Sequence, residues 1–344
     1  MFFRSILAVF LFSVAACAQP ATQYVFSGQT MGTTYNVTIV DETGTLNRDN
    51  IDQVISDTLI AVNASYSNWD PNSEISVFNA SDTTEPVPIS EGLAEMIATS
   101  NRIHAATRGT FDLTLKPLVE IWGFGPSGEI TARPSSDEIA AAREFVGQGR
   151  VLSLSDDGQM LSKQDGRVTV DLSSIAKGYG IDEVASTLDG LGVEHYLVEI
   201  GGDIFAKGQS LRGADWRIGI EQPIPGQRKI EATVSVSGVG MATSGDYRNF
   251  FEQDGVRFSH IIDAGTGRPI THDTASVSVI AATSAEADAW ATALLAVGAE
   301  AGHSIAEANG VAALFIVRDR SIDSDGFSSK PNALFLAYQD VFEE

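Results

Sequence analysis

Apolar residues recur along this chain with two different periods, which predict both strands and helices. Segments in which every second residue or most residues are apolar are typical of strands; they cover 35–40, 168–172, 195–200, 230–239, 257–262, 275–281, 312–317 and 333–338. Segments with apolar residues three and four positions apart are typical of helices; they cover 50–64, 92–107, 174–188 and 283–297. Many short strands with helices between them predict an α+β fold, organised as one large domain.

The helix predicted over 283–297 carries a candidate cation site. Thr283 begins this helix and Glu286 follows three residues later, which is a capping-box pattern. Within the helix, Asp288 and Thr292 are four residues apart and therefore share one face. A carboxylate and a hydroxyl so placed suit a hard cation such as Mg²⁺, which prefers oxygen ligands. The same spacing also fits an exposed helical aspartate that binds nothing.

A second candidate lies where the strand predicted over 168–172 meets the helix predicted over 174–188. The amino end of a helix presents unpaired N–H groups and attracts anions. Lys177 lies in the first turn, where the helix dipole disfavours a cation. Its position is explained if it faces a phosphate or a carboxylate, and an ordinary solvated lysine is the alternative.

Two further segments each allow two interpretations. The glycine turn 109–112 presents an aspartate and is followed by the aromatic, glycine-rich segment 121–125. This pattern suits either a planar ring ligand or a corner of the core. On a strand, His260 would share a face with Phe258 and Ile262, as a core histidine does. Its ordinary pKa near 6.5 also makes it the best candidate for a general base.

The composition excludes some classes of function. The chain is 43% hydrophobic and 19% charged, as in folded globular proteins, and its formal net charge is −23. Nucleic acid is therefore not expected as a partner, because so acidic a chain does not neutralise a phosphate backbone. Cys17 is the only cysteine, so no disulfide framework supports the fold.

The amino-terminal segment has the pattern of a bacterial export signal. A positive charge at Arg4 precedes an apolar run over 6–14. That run is shorter than the roughly 18 residues that a membrane-spanning helix needs, so a signal peptide is expected rather than a membrane anchor.

Two processing routes remain open for the small residues that follow. The segment 14–17 resembles a lipobox, in which Cys17 is acylated, whereas 16–18 also fits ordinary cleavage that discards the cysteine. We expect an exported, periplasmic protein that is lipid-anchored to a bacterial membrane through Cys17. The expected division is a signal peptide with a lipobox over 1–17, a tether over 18–23 and a folded domain over 24–344.

Taken together and in order, the candidate segments resemble the FAD:protein FMN transferase (ApbE) family. Each segment alone is weak, but their order is specific and covers nearly the whole mature chain. The matching segments are 30–35, 69–75, 109–112, 122–125, 171–179, 199–203, 242–249, 259–269 and 287–294. The resemblance implies mixed and antiparallel sheets with packed helices.

The resemblance also implies a reaction and a partner. Family members use Mg²⁺ to break the pyrophosphate of FAD, move FMN onto a threonine or serine hydroxyl of another protein, and release AMP. The implied acceptor is an exported or membrane-bound protein with a Ser-Gly-Ala-Thr-type motif, which this chain itself lacks. A Mg²⁺-dependent FAD pyrophosphatase that makes FMN and AMP, or a non-catalytic FAD-binding lipoprotein, are the alternatives.

Particular residues carry these implied roles. The implied base that takes the proton of the acceptor hydroxyl is His260. The implied metal site comprises Ser174, Asp288, Ala291 and Thr292. The implied flavin and nucleotide contacts are Met31, Trp69, Thr110, Phe111, Asp112, Asp171, Lys177 and Ile262. The family more often has Gly or Thr where this chain has Ser173 and Ser174, and Tyr or Phe at Trp69.

Overall fold

An eight-stranded antiparallel sheet forms the centre of the protein; its strands lie side by side in the order 22–30, 33–41, 196–200, 203–207, 239–245, 274–281, 312–318 and 327–331. The computed structural model describes residues 21–340 except 126–132, 225, 227, 248, 254, 255, 320 and 322–325. The predicted signal peptide and Cys17 lie outside the described residues, as do residues 18–20 of the predicted tether. The strand–helix alternation and the antiparallel sheets confirm the predicted α+β class.

The strands and helices are short, as the sequence pattern predicts. The strands are β1 (Thr22–Thr30), β2 (Thr33–Asp41), β3 (Val87–Pro88), β4 (Leu152–Leu154), β5 (Met160–Lys163), β6 (Tyr196–Ile200), β7 (Asp203–Lys207), β8 (Trp216–Glu221), β9 (Ile230–Val236), β10 (Val239–Gly245), β11 (Phe250–Gln253), β12 (Val256–Ser259), β13 (Ile262–Asp263), β14 (Arg268–Pro269), β15 (Thr274–Ala281), β16 (Ala312–Arg318) and β17 (Phe327–Pro331). The helices are α1 (Arg48–Tyr66), α2 (Glu74–Ala80), α3 (Glu91–Ala106), α4 (Lys116–Ile121), α5 (Ser136–Arg143), α6 (Gln148–Val151), α7 (Ala176–Gly190), α8 (Ser284–Val297), α9 (Ala299–Ala308) and α10 (Ala333–Leu336). No helix in these described ranges has the length and apolar character needed to cross a bilayer.

The central sheet is covered on both faces. On one face, Val277 and Val279 of β15 belong to a core cluster with the alanines and leucines of α8. On the other face, Leu314 of β16 belongs to a second cluster with Trp216 and Phe335. Because adjacent residues of a strand point to opposite faces and both faces are covered, strands β15 and β16 are buried at most positions.

Helix α8 lies unusually close to α7 and β10. A side chain at Gly178 in α7 would overlap the backbone of Ser284, and so would one at Gly240 in β10. Thr283 caps α8 by accepting a hydrogen bond from the amide of Glu286, which is half of the predicted capping box; the Glu286 carboxylate pairs with Arg102 instead. The two glycines therefore let the first turn of α8 contact both neighbours, which fixes the depth of Asp288.

The carboxylate of Asp182 in α7 completes this junction. It accepts hydrogen bonds from the amides of Ser284 and Ala285, each at 2.8 Å. Burial raises the pKa of Asp182 to about 6, against the opposing effect of these two amides. The carboxylate thus satisfies two N–H groups that the first turn of α8 leaves without helical partners.

This raised pKa predicts a pH-dependent contribution to stability. Between the ordinary value of 3.8 and about 6, the unfolded chain has lost the Asp182 proton while the folded chain keeps it. Stability contributed by protonated Asp182 is therefore lost as the pH rises through 6. Relative to Asp182→Asn, the free energy of unfolding of the wild type should fall by about 1 kcal/mol from about pH 5 to about pH 7.5.

Urea denaturation across that range measures the difference. Asp49→Asn, at an exposed aspartate in α1, is the matched control and should follow the wild type. A difference between wild type and Asp182→Asn that is independent of pH would contradict the assignment.

Two predicted strands are wrong. Residues 168–172 are extended but pair with no strand, because Asn79 and Asn68 side chains hydrogen-bond the backbone of Val170 and Asn68 also binds the amide of Leu172. The segment 333–338 begins with helix α10 instead, because the side chain of Asn332 caps it by accepting from the amide of Phe335.

Other predicted boundaries are shifted. The segment predicted over 230–239 is divided by a turn with Gly238 at φ +71°. The segment 257–262 is interrupted after Ser259, so His260 lies between two strands and does not share a strand face with its neighbours. Helix α7 begins at Ala176, two residues later than predicted.

Candidate active site

Three charged side chains from separate elements meet beside the junction of α7 and α8. Lys177 lies in the first turn of α7, Asp203 begins β7, and Asp288 lies in the second turn of α8. The Nζ atom of Lys177 donates to Asp203 Oδ2 and lies 3.1 Å from each carboxylate oxygen of Asp288. Both aspartates are 3% exposed. Lys177 therefore faces carboxylates, which explains a lysine at the amino end of a helix.

The electrostatics of this cluster favour a further cation. Burial raises the pKa of Asp288 to about 6, against the opposing effect of Lys177, and the nearby Asp203 raises it further. Burial alone would lower the pKa of Lys177, but Asp288 and Asp203 outweigh it and raise that pKa. Two carboxylates and one ammonium leave the ionised cluster with a net negative charge.

Two hydroxyl groups lie about one helical turn from Asp288. Thr292 lies one turn beyond Asp288 on α8, and its Oγ1 is 3.0 Å from Ser244 Oγ in β10. The amide of Thr243 donates to Asp203 Oδ1 at 3.1 Å. Buried carboxylates with adjacent hydroxyls form the oxygen-rich donor set that Mg²⁺ prefers, so these residues fit the predicted ion. Within the described ranges, no three or more His, Cys, Asp or Glu side chains form a metal cage, so water or substrate oxygens would complete the shell.

The four residues of the implied metal site lie in two places: Asp288, Ala291 and Thr292 on α8, and Ser174 just before α7. Asp288 and Thr292 share one face of α8, as the spacing predicts. Ala291 is fully buried within that helix, and Ser174 lies in the turn before α7, partly exposed. Ala291 can contribute only its backbone, whereas Ser174 has both its backbone and a partly exposed hydroxyl.

Asp203 is the member of the cluster that sequence reasoning missed. It follows Gly201 and Gly202, whose φ values of +60° and +100° form the tight turn between β6 and β7. The segment 199–203 was part of the family resemblance, but its aspartate was not assigned a role. An aspartate that follows two glycines at the end of an apolar strand was the available signal.

The loop that carries Trp69 is tied to the segment that carries Asp171. Asn68 binds the backbone of that segment at both Val170 and Leu172, and Asp171 donates its amide to Leu113 O at 2.7 Å. Trp69 itself is 79% exposed. An indole this exposed is available to cover a planar ligand, while its loop is fixed by its neighbour.

The turn 109–112 is a corner of the core in this structure. Phe111 is buried, and both carboxylate oxygens of Asp112 accept backbone amides, those of Thr114 at 2.7 Å and Gln148 at 2.8 Å. Thr110 remains partly exposed. The same corner lines a cavity of about 770 Å³ that also borders Ala264. Phe111 is thus engaged in the core, whereas Gly109 and Asp112 border the cavity.

His260 is held with one ring nitrogen free. Its Nδ1 lies 2.9 Å from the carbonyl of Asn249, and a carbonyl only accepts, so Nδ1 carries the proton and Nε2 keeps its lone pair. Burial lowers the pKa of His260, against opposing effects of Asn249 and Asp246. This lowered pKa favours the neutral imidazole, which is the form that a general base requires.

The remaining implied flavin residues lie on either side of these groups. Ile262 is buried at the start of β13, directly after the His260 segment. Met31 has φ +48° in the turn between β1 and β2, and its side chain points at Gly180 of α7. Met31 is therefore on the Lys177 side of the site, and Ile262 is on the His260 side.

Comparison with known proteins gives one family. The model of the ApbE family matches residues 31–315. A Vibrio cholerae O1 protein named FAD:protein FMN transferase is 41% identical over 328 residues, which cover 95% of this chain and 96% of that protein. The Escherichia coli K12 protein of the same name is 35% identical over 323 residues, covering 92% of each chain.

Solved structures agree in fold. The flavin transferase ApbE from Vibrio cholerae superposes with a TM-score of 0.84 at 39% identity, covering 93% of this chain and all of that one. The apo form of the Pseudomonas stutzeri flavinyl transferase ApbE gives a TM-score of 0.83 at 37% identity, covering 92% and 97%. The family match over most of the chain, with these identities over nearly its full length, shows that the chain belongs to the ApbE family.

Proposed function

We propose that this protein transfers FMN from FAD to a threonine or serine hydroxyl of another protein, in the presence of Mg²⁺, and releases AMP. The observation that carries the proposal is the buried cluster of Lys177, Asp203 and Asp288 beside the Thr292 hydroxyl. Its support is membership of a family whose relatives at 35–41% identity are named FAD:protein FMN transferase. Cleavage of a pyrophosphate needs a cation, because the reacting groups are themselves anionic. A net negative cluster of oxygen donors is suited to hold that cation.

The cluster supplies the charge for this reaction. Asp203, Asp288 and Thr292 would hold Mg²⁺, with backbone groups at Ser174 and Ala291 as the other proposed contacts. When bound, the ion neutralises charge on the pyrophosphate and orients it. Lys177 adds a fixed positive charge at the amino end of α7, where backbone N–H groups also favour phosphate.

The proton of the acceptor hydroxyl goes to His260. The hydroxyl oxygen attacks the phosphorus nearer the riboflavin, and Nε2 of His260 takes the proton as the new P–O bond forms. The bond between that phosphorus and the bridging oxygen breaks, and AMP leaves with the bridging oxygen. Asn249 keeps the Nδ1 proton in place, so that Nε2 is the nitrogen that accepts.

The flavin and adenine rings require apolar and backbone contacts. We propose that these come from Met31, Trp69, Asp171, Ile262 and the turn of Thr110, Phe111 and Asp112. Trp69 is the exposed aromatic among them, and an indole covers a planar ring by stacking.

Trp69→Ala should weaken FAD binding with little change in stability. Aromatic stacking on a base contributes about 1–3 kcal/mol, so the dissociation constant should rise about tenfold or more. Because Trp69 is 79% exposed, its removal leaves no cavity in the core. Quenching of flavin fluorescence on titration measures the affinity. Ile60→Ala, at an apolar residue that is 63% exposed, is the control and should bind FAD normally.

We further propose that the reaction takes place outside the cytoplasm. The charge, apolar run and small residues at 1–17 support an export signal, and Cys17 supports a lipid anchor. The acceptor would then be an exported or membrane-bound protein with a Ser-Gly-Ala-Thr-type motif, and FAD would be needed in the periplasm.

One experiment tests the reaction. The mature protein is incubated with FAD, Mg²⁺ and an acceptor domain that carries the motif, and acceptor mass and free nucleotides are measured. Covalent FMN on the acceptor with an equal amount of AMP is the expected result. FMN and AMP without a mass change would indicate a pyrophosphatase, and unchanged FAD would indicate a binding protein; either result would contradict the proposal.

A further inference from the structure

β10 and the residues just after it contact both halves of the proposed site. In β10, the Ser244 hydroxyl lies 3.0 Å from Thr292, beside the charged cluster. Beyond β10, the carbonyl of Asn249 holds Nδ1 of His260 at 2.9 Å. Asp246 lies between them and is 5% exposed. The placement of Asp246 thus affects the cluster on one side and the base on the other.

Arg318 at the end of β16 contacts both oxygens of the Asp246 carboxylate. Its Nη1 lies 2.9 Å from Oδ2 and its Nη2 lies 2.5 Å from Oδ1, which is the bidentate geometry that fixes orientation as well as distance. The amide of Arg318 is itself anchored on the carbonyl of Asp273 at 2.8 Å. Arg318 therefore joins the carboxylate of Asp246 to the end of β16.

Two other residues, Ala275 and Arg257, hydrogen-bond the backbone of Asp246. The two short hydrogen bonds to its carboxylate come from Arg318. The amide of Asp246 donates to the carbonyl of Ala275 in β15 at 3.0 Å. Arg257 donates Nη2 to the main-chain carbonyl of Asp246 at 2.8 Å and lies 3.7 Å from Oδ1. Arg257 thus contacts mainly the backbone of Asp246. Among the described residues, Arg318 alone pairs with both oxygens of the Asp246 carboxylate.

We infer that Arg318 is a positioning residue for the transfer step and acts on His260 through Asp246 and Asn249. The inference rests on the proposed function, since it concerns the same base. A base must lie within hydrogen-bond reach of the proton it takes, and a displacement of 1 Å costs about 100-fold in rate. Asn249, whose carbonyl fixes the His260 ring, follows Asp246 by three residues, so a shift of Asp246 on loss of Arg318 should also shift that carbonyl.

Arg318→Gln removes the bidentate pair and should lower kcat for FMN transfer about 100-fold. Arg318→Lys keeps the charge without the fork, because lysine is a point donor, and should recover part of this loss. Neither variant should change KM for FAD substantially, since Arg318 is not among the proposed FAD contacts. Arg318→Lys also keeps the test possible if Arg318→Gln does not fold.

A double-substitution cycle separates positioning from general destabilisation. If Arg318 acts through His260, Arg318→Gln should have little further effect on kcat when His260 is already alanine, because the two losses are then not additive. An independent structural role would lower kcat by the same factor in both backgrounds. That additive result would overturn the inference.

Two control variants make the comparison quantitative. Ile316→Ala removes a buried side chain from β16 without touching the pair, and should lower the melting temperature while kcat stays near normal. Arg217→Gln removes a more exposed arginine pair, with Asp340, and should leave kcat unchanged. An equal loss of kcat in Ile316→Ala, or normal kcat in Arg318→Gln, would overturn the inference alone. A wild type that leaves the acceptor unmodified would overturn the proposed function, and with it this inference.

Discussion

Asp288→Asn should reduce FMN transfer about 1000-fold or more while the protein stays folded. Stabilisation of transition-state charge by a bound cation is worth several kcal/mol, and each 1.4 kcal/mol is a factor of ten in rate. The amide has nearly the shape of the carboxylate but no charge to hold the cation. The substitution also removes a buried carboxyl group. Burial raises the pKa of Asp288 to about 6, so its charge is costly in the folded protein and little loss of stability is expected.

Single-turnover transfer to the acceptor, followed by mass spectrometry, measures the effect. A matched control exists on the same helix, because Glu286 lies in the first turn of α8 and pairs with Arg102 at the surface. Glu286→Gln should transfer FMN at nearly the wild-type rate. Turnover within tenfold of wild type in Asp288→Asn would show that the cluster is not the charged centre of the reaction.

The sequence predicted this helix well because the information is local. The Thr283 cap, the small residues and the four-residue spacing of Asp288 and Thr292 all lie within 283–297, and the structure shows the predicted cap and shared face. What the spacing could not decide was whether Asp288 is exposed. Burial depends on Gly178 and Gly240, which admit the helix to a narrow space between α7 and β10.

The wrong predictions concern segments whose hydrogen-bond partners are distant in the sequence. The apolar alternation over 168–172 has the period of a strand, but its backbone is satisfied by the side chains of Asn68 and Asn79, about a hundred residues earlier. Nothing in the local pattern distinguishes these partners from a neighbouring strand. The extended conformation was therefore predictable, and its hydrogen-bond partners were not.

Asp203 shows the same limit in the candidate site. A turn after two glycines was readable from the sequence, but the approach of its aspartate to Lys177 depends on the β6–β7 hairpin lying beside α7. The cluster joins three elements, and only Asp288 and Thr292 share one of them. Sequence reasoning could thus identify donors of the right chemistry, while their meeting point needed the fold.

His260→Ala should slow FMN transfer about 100- to 10,000-fold and leave FAD affinity unchanged, since general-base catalysis contributes on that order. The base works only when neutral, so the rate should rise with pH through the pKa of His260. Because burial lowers that pKa below its ordinary 6.5, the acidic limb of the wild-type profile should lie below pH 6.5. The alanine variant should lose this limb.

The pH profile of kcat, measured with saturating FAD, distinguishes a base from a residue that merely packs. His303, which is partly exposed on α9 beside Glu307, provides the control, and His303→Ala should keep both the rate and the limb. If His260→Ala transferred FMN at the normal rate, the acceptor hydroxyl would need another route for its proton, and the role of Asn249 in fixing the tautomer would have no catalytic consequence. If the rate fell but the acidic limb persisted unchanged, His260 would orient the acceptor, and the limb would belong to another group of the site.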